Sequence, residues 1–192
     1  IAITDYGNIC ATVDFYNACG KNDIKPIIGC QFFVAEKSLK DRSSMQRKPE
    51  GYTVTLLAET QDGYQNICKL NAIAHIQGEH WGRPRIDKAT LKEHTTGVIA
   101  LSTFEGSEIY DFLKFGKDDK AEEIALFYRD LYGAENYYLE IQNHGLEEEL
   151  KILPKVIDMA NRNNIPLVAT NSIHYLNQED SESHEVLLCI GE

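Results

Sequence analysis

Three segments of the chain share one pattern, a short apolar run that ends in polar residues. They are Ile3-Thr4-Asp5-Tyr6-Gly7-Asn8, Pro26-Ile27-Ile28-Gly29-Cys30-Gln31 and Val168-Ala169-Thr170-Asn171-Ser172-Ile173-His174-Tyr175. Strands buried on both faces read as apolar runs, and α/β folds keep their chemistry at the carboxyl ends of such strands. The pattern therefore predicts an α/β domain and marks these polar ends as the place to look for a site.

The rest of the chain alternates in the same way. Ala2-Ile3 ends a strand, and Ile9 to Asn22 reads as a helix. Pro26 to Ile28 and Phe32 to Ala35 read as extended, and Asp41 to Gly51 as a polar loop. Tyr52 to Ala58 reads as a strand. Tyr64 to Gln77 reads as a helix with Ile67, Leu70 and Ala74 on one face. Glu79 to Arg85 reads as a loop. Asp87 is placed to cap a short helix through Glu93, and Gly97 to Leu101 is a buried strand. Ile109 to Gly116 reads as a turn carrying Tyr110, Phe112 and Phe115, ordinary core aromatics or part of an apolar docking patch. Lys120 to Tyr132 is a helix and Asn136 to Ile141 a strand. Leu146 to Asn163 is a helix with Leu146, Leu150, Leu153, Ile157 and Ala160 facing the core. Pro154 inside it predicts a kink or a break. Pro166 to Ala169 is a strand, and Gln178 to Cys189 a last helix. Strands joined by crossover helices imply a mainly parallel sheet.

Composition narrows the function. The chain has 192 residues, enough for one real core. A formal net charge of −11 makes a poor nucleic-acid binder, because phosphate contact needs clustered Lys and Arg. The one basic cluster (Lys37, Lys40, Arg42, Arg47, Lys48) reads as a solvated loop, with local backbone contact to a nucleic acid as the other reading. No apolar run approaches the roughly 20 residues of a membrane helix, and no signal segment opens the chain. The five Cys are odd in number, widely spaced and without a Cys-x-x-Cys. That points to a reducing cytoplasm and to small, mostly buried apolar residues.

The strand-end segments resemble the metal-binding motifs of the PHP (polymerase and histidinol phosphatase) family. Further segments resemble one PHP subfamily, the N-terminal domains of bacterial replicative DNA polymerase III alpha subunits. These are Leu56-Leu57-Ala58-Glu59-Thr60 with Gly63-Tyr64-Gln65-Asn66-Ile67, Gly97 to Ser102, Tyr138 to Gly145, and Asp180 with His184 to Ile190. No exonuclease-sized insertion interrupts them, which favours the DnaE type over the PolC type. The resemblance implies a distorted seven-stranded β/α barrel of the PHP type, mainly parallel, with crossover helices. It implies that residues 1–192 are a PHP domain fragment, with a first strand expected upstream and palm, fingers and further domains downstream.

The family's site holds divalent ions (Zn, Mn or Fe) that polarise a phosphoryl oxygen and activate a water. Its ligands map here onto Tyr6, Gln31, Thr53, Phe104, Ser172 and His174, of which His174 alone matches. Gln31 is neutral, Phe104 offers no donor, and Tyr6 ionises only near pH 10. The expectation is a degenerate metal site with no catalytic residue and no cofactor in this chain. Asp5 and His144 are expected to line the old pocket, and His144 reads equally well as a hydrogen-bonded turn residue. His174 is expected to hydrogen-bond Tyr6 or Gln31. Asp14, Glu36 and the run Glu147-Glu148-Glu149 read as surface, as does His80 beside Trp81.

The function that the resemblance implies is a non-catalytic scaffold. It would dock the proofreading exonuclease subunit onto a DNA-directed DNA polymerase acting in replication, with Mg serving the downstream polymerase site. Its other partners would be the rest of the alpha chain and, through the parent enzyme, primer-template DNA. The alternatives are an active metal-dependent phosphoesterase, either exonuclease or pyrophosphatase, and a stand-alone PHP phosphatase such as histidinol phosphatase.

Overall fold

A computed structural model describes residues 1–41 and 51–191. Its strands are β1 (Ala2–Ile3), β2 (Ile27–Ala35), β3 (Gly51–Ala58), β4 (Arg85–Ile86), β5 (Val98–Leu101), β6 (Tyr137–Ile141) and β7 (Leu167–Ala169). Its helices are α1 (Thr12–Lys21), α2 (Gln61–Ile76), α3 (Lys88–Lys92), α4 (Glu108–Lys114), α5 (Asp118–Tyr132), α6 (Glu147–Asn163) and α7 (Ser181–Gly191).

The seven strands make one curled, half-barrel sheet in the order β1-β2-β3-β5-β6-β7, with β4 also on β2. The pairs β1–β2, β2–β4, β5–β6 and β6–β7 are parallel. Only β3 runs against its neighbours β2 and β5. The expected mainly parallel α/β barrel frame is therefore present. One edge of β2 serves two strands: Ile27 and Ile28 pair with β1, and Phe33 and Val34 pair with β4.

Helices α2, α5 and α6 cover the sheet. Phe32, Leu56, Val98 and Leu139 from the strands meet Ile67, Leu70 and Ala74 of α2, Ala121 and Ala125 of α5, and Ile152, Val156 and Met159 of α6. The α2 face is the one its helical spacing predicts. Thr60 caps that helix by accepting from Gly63 N at 3.2 Å. Gly63 is required by contact, because a Cβ there would lie 1.7 Å from the Gly97 carbonyl oxygen. Asp87 caps α3, accepting from Thr90 N at 2.8 Å, and its other oxygen accepts from Leu39 N at 3.0 Å.

Several local expectations are corrected. Helix α1 starts at Thr12 rather than Ile9, and β2 runs unbroken from Ile27 to Ala35. The expected loop 79–85 ends in strand β4, and His80 is buried rather than on the surface. The expected turn at Ile109–Gly116 is mostly helix α4, capped by Ser107, whose hydroxyl accepts from Tyr110 N at 3.1 Å. Helix α6 continues through Pro154. The carbonyl that the proline leaves without a donor belongs to Leu150, on an exposed stretch where water is available. The buried face of α6 is Glu149, Ile152, Val156, Met159 and Ala160, while Leu146 and Leu150 are exposed. Glu149 therefore leaves the predicted surface run, whereas Glu147 and Glu148 stay on it, as do Asp14 and Glu36. Only Cys19 and Cys30 of the five cysteines are buried. Of the basic cluster, Lys37 pairs with Asp41 at 3.5 Å. Arg42, Arg47 and Lys48, with most of the loop predicted at Asp41 to Gly51, lie outside the described residues. Among the described residues no helix is long and apolar enough to cross a membrane.

Candidate functional site

The polar segments that follow β1 and β7 come together beside Gln31, which lies in the middle of β2 rather than at the strand end expected of it, and main-chain bonds set their positions. Tyr6 forms an isolated parallel bridge with Gln31. Gln31 N donates to the Asp5 carbonyl at 3.0 Å, and Gly7 N donates to the Gln31 carbonyl at 2.8 Å. Two side chains one turn apart on α2 then hold the Gly7 carbonyl: Asn71 Nδ2 at 3.1 Å and His75 Nε2 at 2.8 Å. A carbonyl only accepts, so Nε2 carries the proton of that imidazole. Cys30 Sγ lies 3.5 Å from the Asp5 carbonyl. Burial pushes the Cys30 thiol up to about 12, which makes it a packing residue rather than a nucleophile.

From the other side, β7 delivers Ser172 and His174. Ser172 Oγ lies 3.0 Å from His174 Nε2. The His174 ring stacks on Tyr6 with centroids 6.2 Å apart and on His184 of α7 at 5.1 Å. The predicted hydrogen bond from His174 to Tyr6 or Gln31 is thus replaced by one to Ser172, with Tyr6 met through its ring. The Tyr6 phenol is raised above its ordinary pKa by burial first, and by the charges of Glu105 and Glu140. Hydrogen bonding to Gln31 and Ser172 pulls the other way. The structure therefore joins Tyr6, Gln31, Ser172 and His174 in one cluster.

Thr53 stands opposite Phe33, on the sheet face that carries Gln31, whereas Phe104 turns into the core. Thr53 N donates to the Gly106 carbonyl at 2.9 Å, and its buried hydroxyl has no hydrogen-bond partner among the described residues. Phe104 is 2% exposed and meets Tyr110 edge-on at 5.3 Å, so it belongs to the core. Asp5 is half-buried at the end of β1. His144 is a hydrogen-bonded turn residue: its Nδ1 lies 2.7 Å from Glu149 Oε1, and its backbone N donates to Glu149 Oε2 at 2.7 Å.

The sequence reading missed Glu140, which faces the cluster from β6. It is 5% exposed. Its Oε1 accepts from Gln142 Nε2 at 2.9 Å and from the Thr170 hydroxyl, whereas its buried Oε2 has no partner among the described residues. Burial raises its pKa against the pull of those two donors. The available signal was a lone acid inside the otherwise apolar strand Tyr137–Ile141. Thr55 and Thr103 were missed as well. Their hydroxyls lie 2.9 Å apart beneath the loop after β5, and Thr103 sits at φ +56°.

Chemically, the cluster offers a phenol, an amide, a hydroxyl and one imidazole, with a single buried carboxylate behind them. Among the described residues no three His, Cys, Asp or Glu side chains are placed to share an ion. Such a donor set does not fit a cluster of divalent ions, which calls for anionic and imidazole ligands in number.

A family model described as "PHP domain" matches residues 1–144. The DNA polymerase III subunit alpha of Treponema pallidum is 41% identical over 191 residues, 100% of this chain and 16% of that protein. The protein of the same name from Deinococcus radiodurans is 41% identical, over 99% of this chain and 14% of its own length. That of Thermus aquaticus is 39% identical, over 99% and 16%. The chain thus spans about a sixth of the length of these relatives.

Proposed function

This chain belongs to the PHP domain family, and from that premise we propose that it is the PHP domain of a replicative DNA polymerase III alpha subunit. In this reading residues 1–192 are part of a longer, DNA-directed DNA polymerase chain, and the domain serves replication as a scaffold. Its strand-end site is spent as a metal centre, and its surface docks the proofreading exonuclease subunit. Support for the polymerase assignment comes from relatives of one name that match across the whole chain.

One observation carries the non-catalytic reading. Four of the family's ligand positions are gathered against one another: Tyr6 bridges Gln31 through the backbone and stacks on the His174 ring at 6.2 Å, and Ser172 meets His174 at 3.0 Å. Three of these four are neutral, weak ligands at physiological pH. A fifth position, Phe104, is filled by a core ring. Phosphoester chemistry of the metal-assisted kind needs the ion to generate the nucleophile, and nothing in this cluster replaces it.

The test is the metal content of the full-length chain by mass spectrometry after dialysis against Zn and Mn. Fewer than about one tightly held ion per chain is expected, given how closed multi-ligand sites hold their metal. Two or three ions with phosphoesterase turnover would overturn the reading in favour of an active hydrolase. Docking is tested separately, by co-elution of the purified exonuclease subunit with the full-length chain.

A further inference from the structure

Helix α7 differs from the other long helices of the molecule. Helices α2 and α6 each turn a stripe inward and leave the opposite face in water. In α7 the polar residues Ser181 to Glu185 occupy the first turns, and every side chain from Val186 to Ile190 is exposed. Val186, Leu187, Leu188 and Ile190 are 60%, 65%, 58% and 76% exposed. Neighbouring positions on a helix point about 100° apart, so this run covers the full circumference. The segment leading into the helix adds Ile173 and Leu176, 72% and 93% exposed. The helix meets the strand-end segment through His184, whose ring stacks on His174 and lies 5.5 Å from Tyr175.

We propose that the second half of α7 is an internal helix, enclosed on all sides by further polypeptide of the same chain. The material is of the kind that the relatives carry outside the matched segment, about five-sixths of their length. A helix that is apolar all round is a core helix. A partner that docks onto a helix reads one stripe of anchors three and four residues apart and leaves the far side polar. A second copy meeting it across a two-fold axis also covers one face. Neither partner accounts for apolar side chains at five successive positions. The docking surface for a separate subunit therefore lies elsewhere. This inference rests on family membership and on the relatives' length, and it stands or falls independently of metal loss and exonuclease docking.

Cys189 sits inside this run as an exposed free thiol and is a built-in probe. The experiment is maleimide labelling of the native full-length chain, with Cys189 quantified by peptide mass spectrometry against the same chain in denaturant. We expect labelling slowed by at least about a hundredfold, as for a thiol reached only through local opening. The slowing should be the same at all protein concentrations and without any added subunit. Labelling at close to the denatured rate would overturn the proposal. So would protection that grows with concentration, which would mean a second copy, or protection that needs the exonuclease subunit, which would mean a separate partner.

Discussion

The hydroxyls of Thr55 and Thr103 lie 2.9 Å apart, and Thr103 holds that contact from a left-handed backbone at φ +56°. A β-branched residue avoids this region, so the buried hydroxyl bond and the fold around it keep it there. The loop that Thr103 opens carries Phe104 into the core and Glu105 toward Tyr6.

Replacing Thr103 by Val keeps the strain and strands the Thr55 hydroxyl. The expected loss is about 1–3 kcal/mol, measured by urea unfolding. Thr103→Gly relieves the backbone and should lose less than Thr103→Val. The reverse order would mean that the left-handed backbone at Thr103 carries no strain that glycine can relieve.

Phe104→Cys would place a thiol at one of the positions where the family resemblance expects a metal ligand. The ring it removes is 2% exposed and packs edge-on against Tyr110. The variant should therefore lose about 3 kcal/mol, as large-to-small core changes do, and should gain no bound metal by mass spectrometry. A stable variant that takes up Zn would show that Phe104 still faces the cluster.

Two glycine-to-alanine changes in helices should have opposite signs. At Gly20 of α1 an added Cβ meets nothing within 4 Å, so helix propensity should yield a gain of up to about 1 kcal/mol. At Gly63 of α2 the same atom would sit 1.7 Å from the Gly97 carbonyl oxygen, and a loss above about 2 kcal/mol is expected from overpacking. Thermal melts of the two variants check both at once.

Glu140→Gln tests the buried carboxylate through pH. Burial raises its pKa in the folded chain, so the folded state binds the proton more tightly than the unfolded state does. The stability that this gives is complete below the ordinary glutamate value of about 4.3. It is lost as pH rises through the raised value. The amide that replaces the carboxyl cannot ionise. The variant should match the parent near pH 4 and melt higher at pH 7, by roughly 2–4 °C for each kcal/mol involved. A difference that shrinks with rising pH would refute the assignment.

Much of the frame was legible because its signals were local and unopposed. Asp87 sits at a capping position, and Ile67, Leu70 and Ala74 form an apolar stripe of α2 at helical spacing. Helix α6 shows where such signals fail. It carries two interleaved apolar stripes, one through Leu146, Leu150, Leu153 and Ile157 and one through Ile152, Val156 and Met159. Periodicity alone does not choose between them. The choice falls to Glu149, whose burial is satisfied by His144 N at 2.7 Å and the His144 ring at 2.7 Å. That contact depends on the turn at Asn143–Gly145, which no periodic pattern encodes. Helix α4 was hidden by its shortness and by Gly116 just beyond it.

The site was legible as a set of positions and illegible as a set of contacts. Tyr6, Gln31, Ser172 and His174 follow apolar runs and were found. Glu140 and Thr170 act across β6 and β7, thirty residues apart in sequence. Their pairing arises only when the strands are laid side by side.

The bridge between Tyr6 and Gln31 has a consequence for how such a protein changes over generations. It is made of backbone atoms, Gln31 N to the Asp5 carbonyl and Gly7 N to the Gln31 carbonyl, and backbone bonds are indifferent to the side chain attached. Mutation can therefore exchange the side chains at these two positions without moving the strands that display them. A lineage can abandon an old chemistry here, drift, and recruit the same two positions for another use while the frame persists.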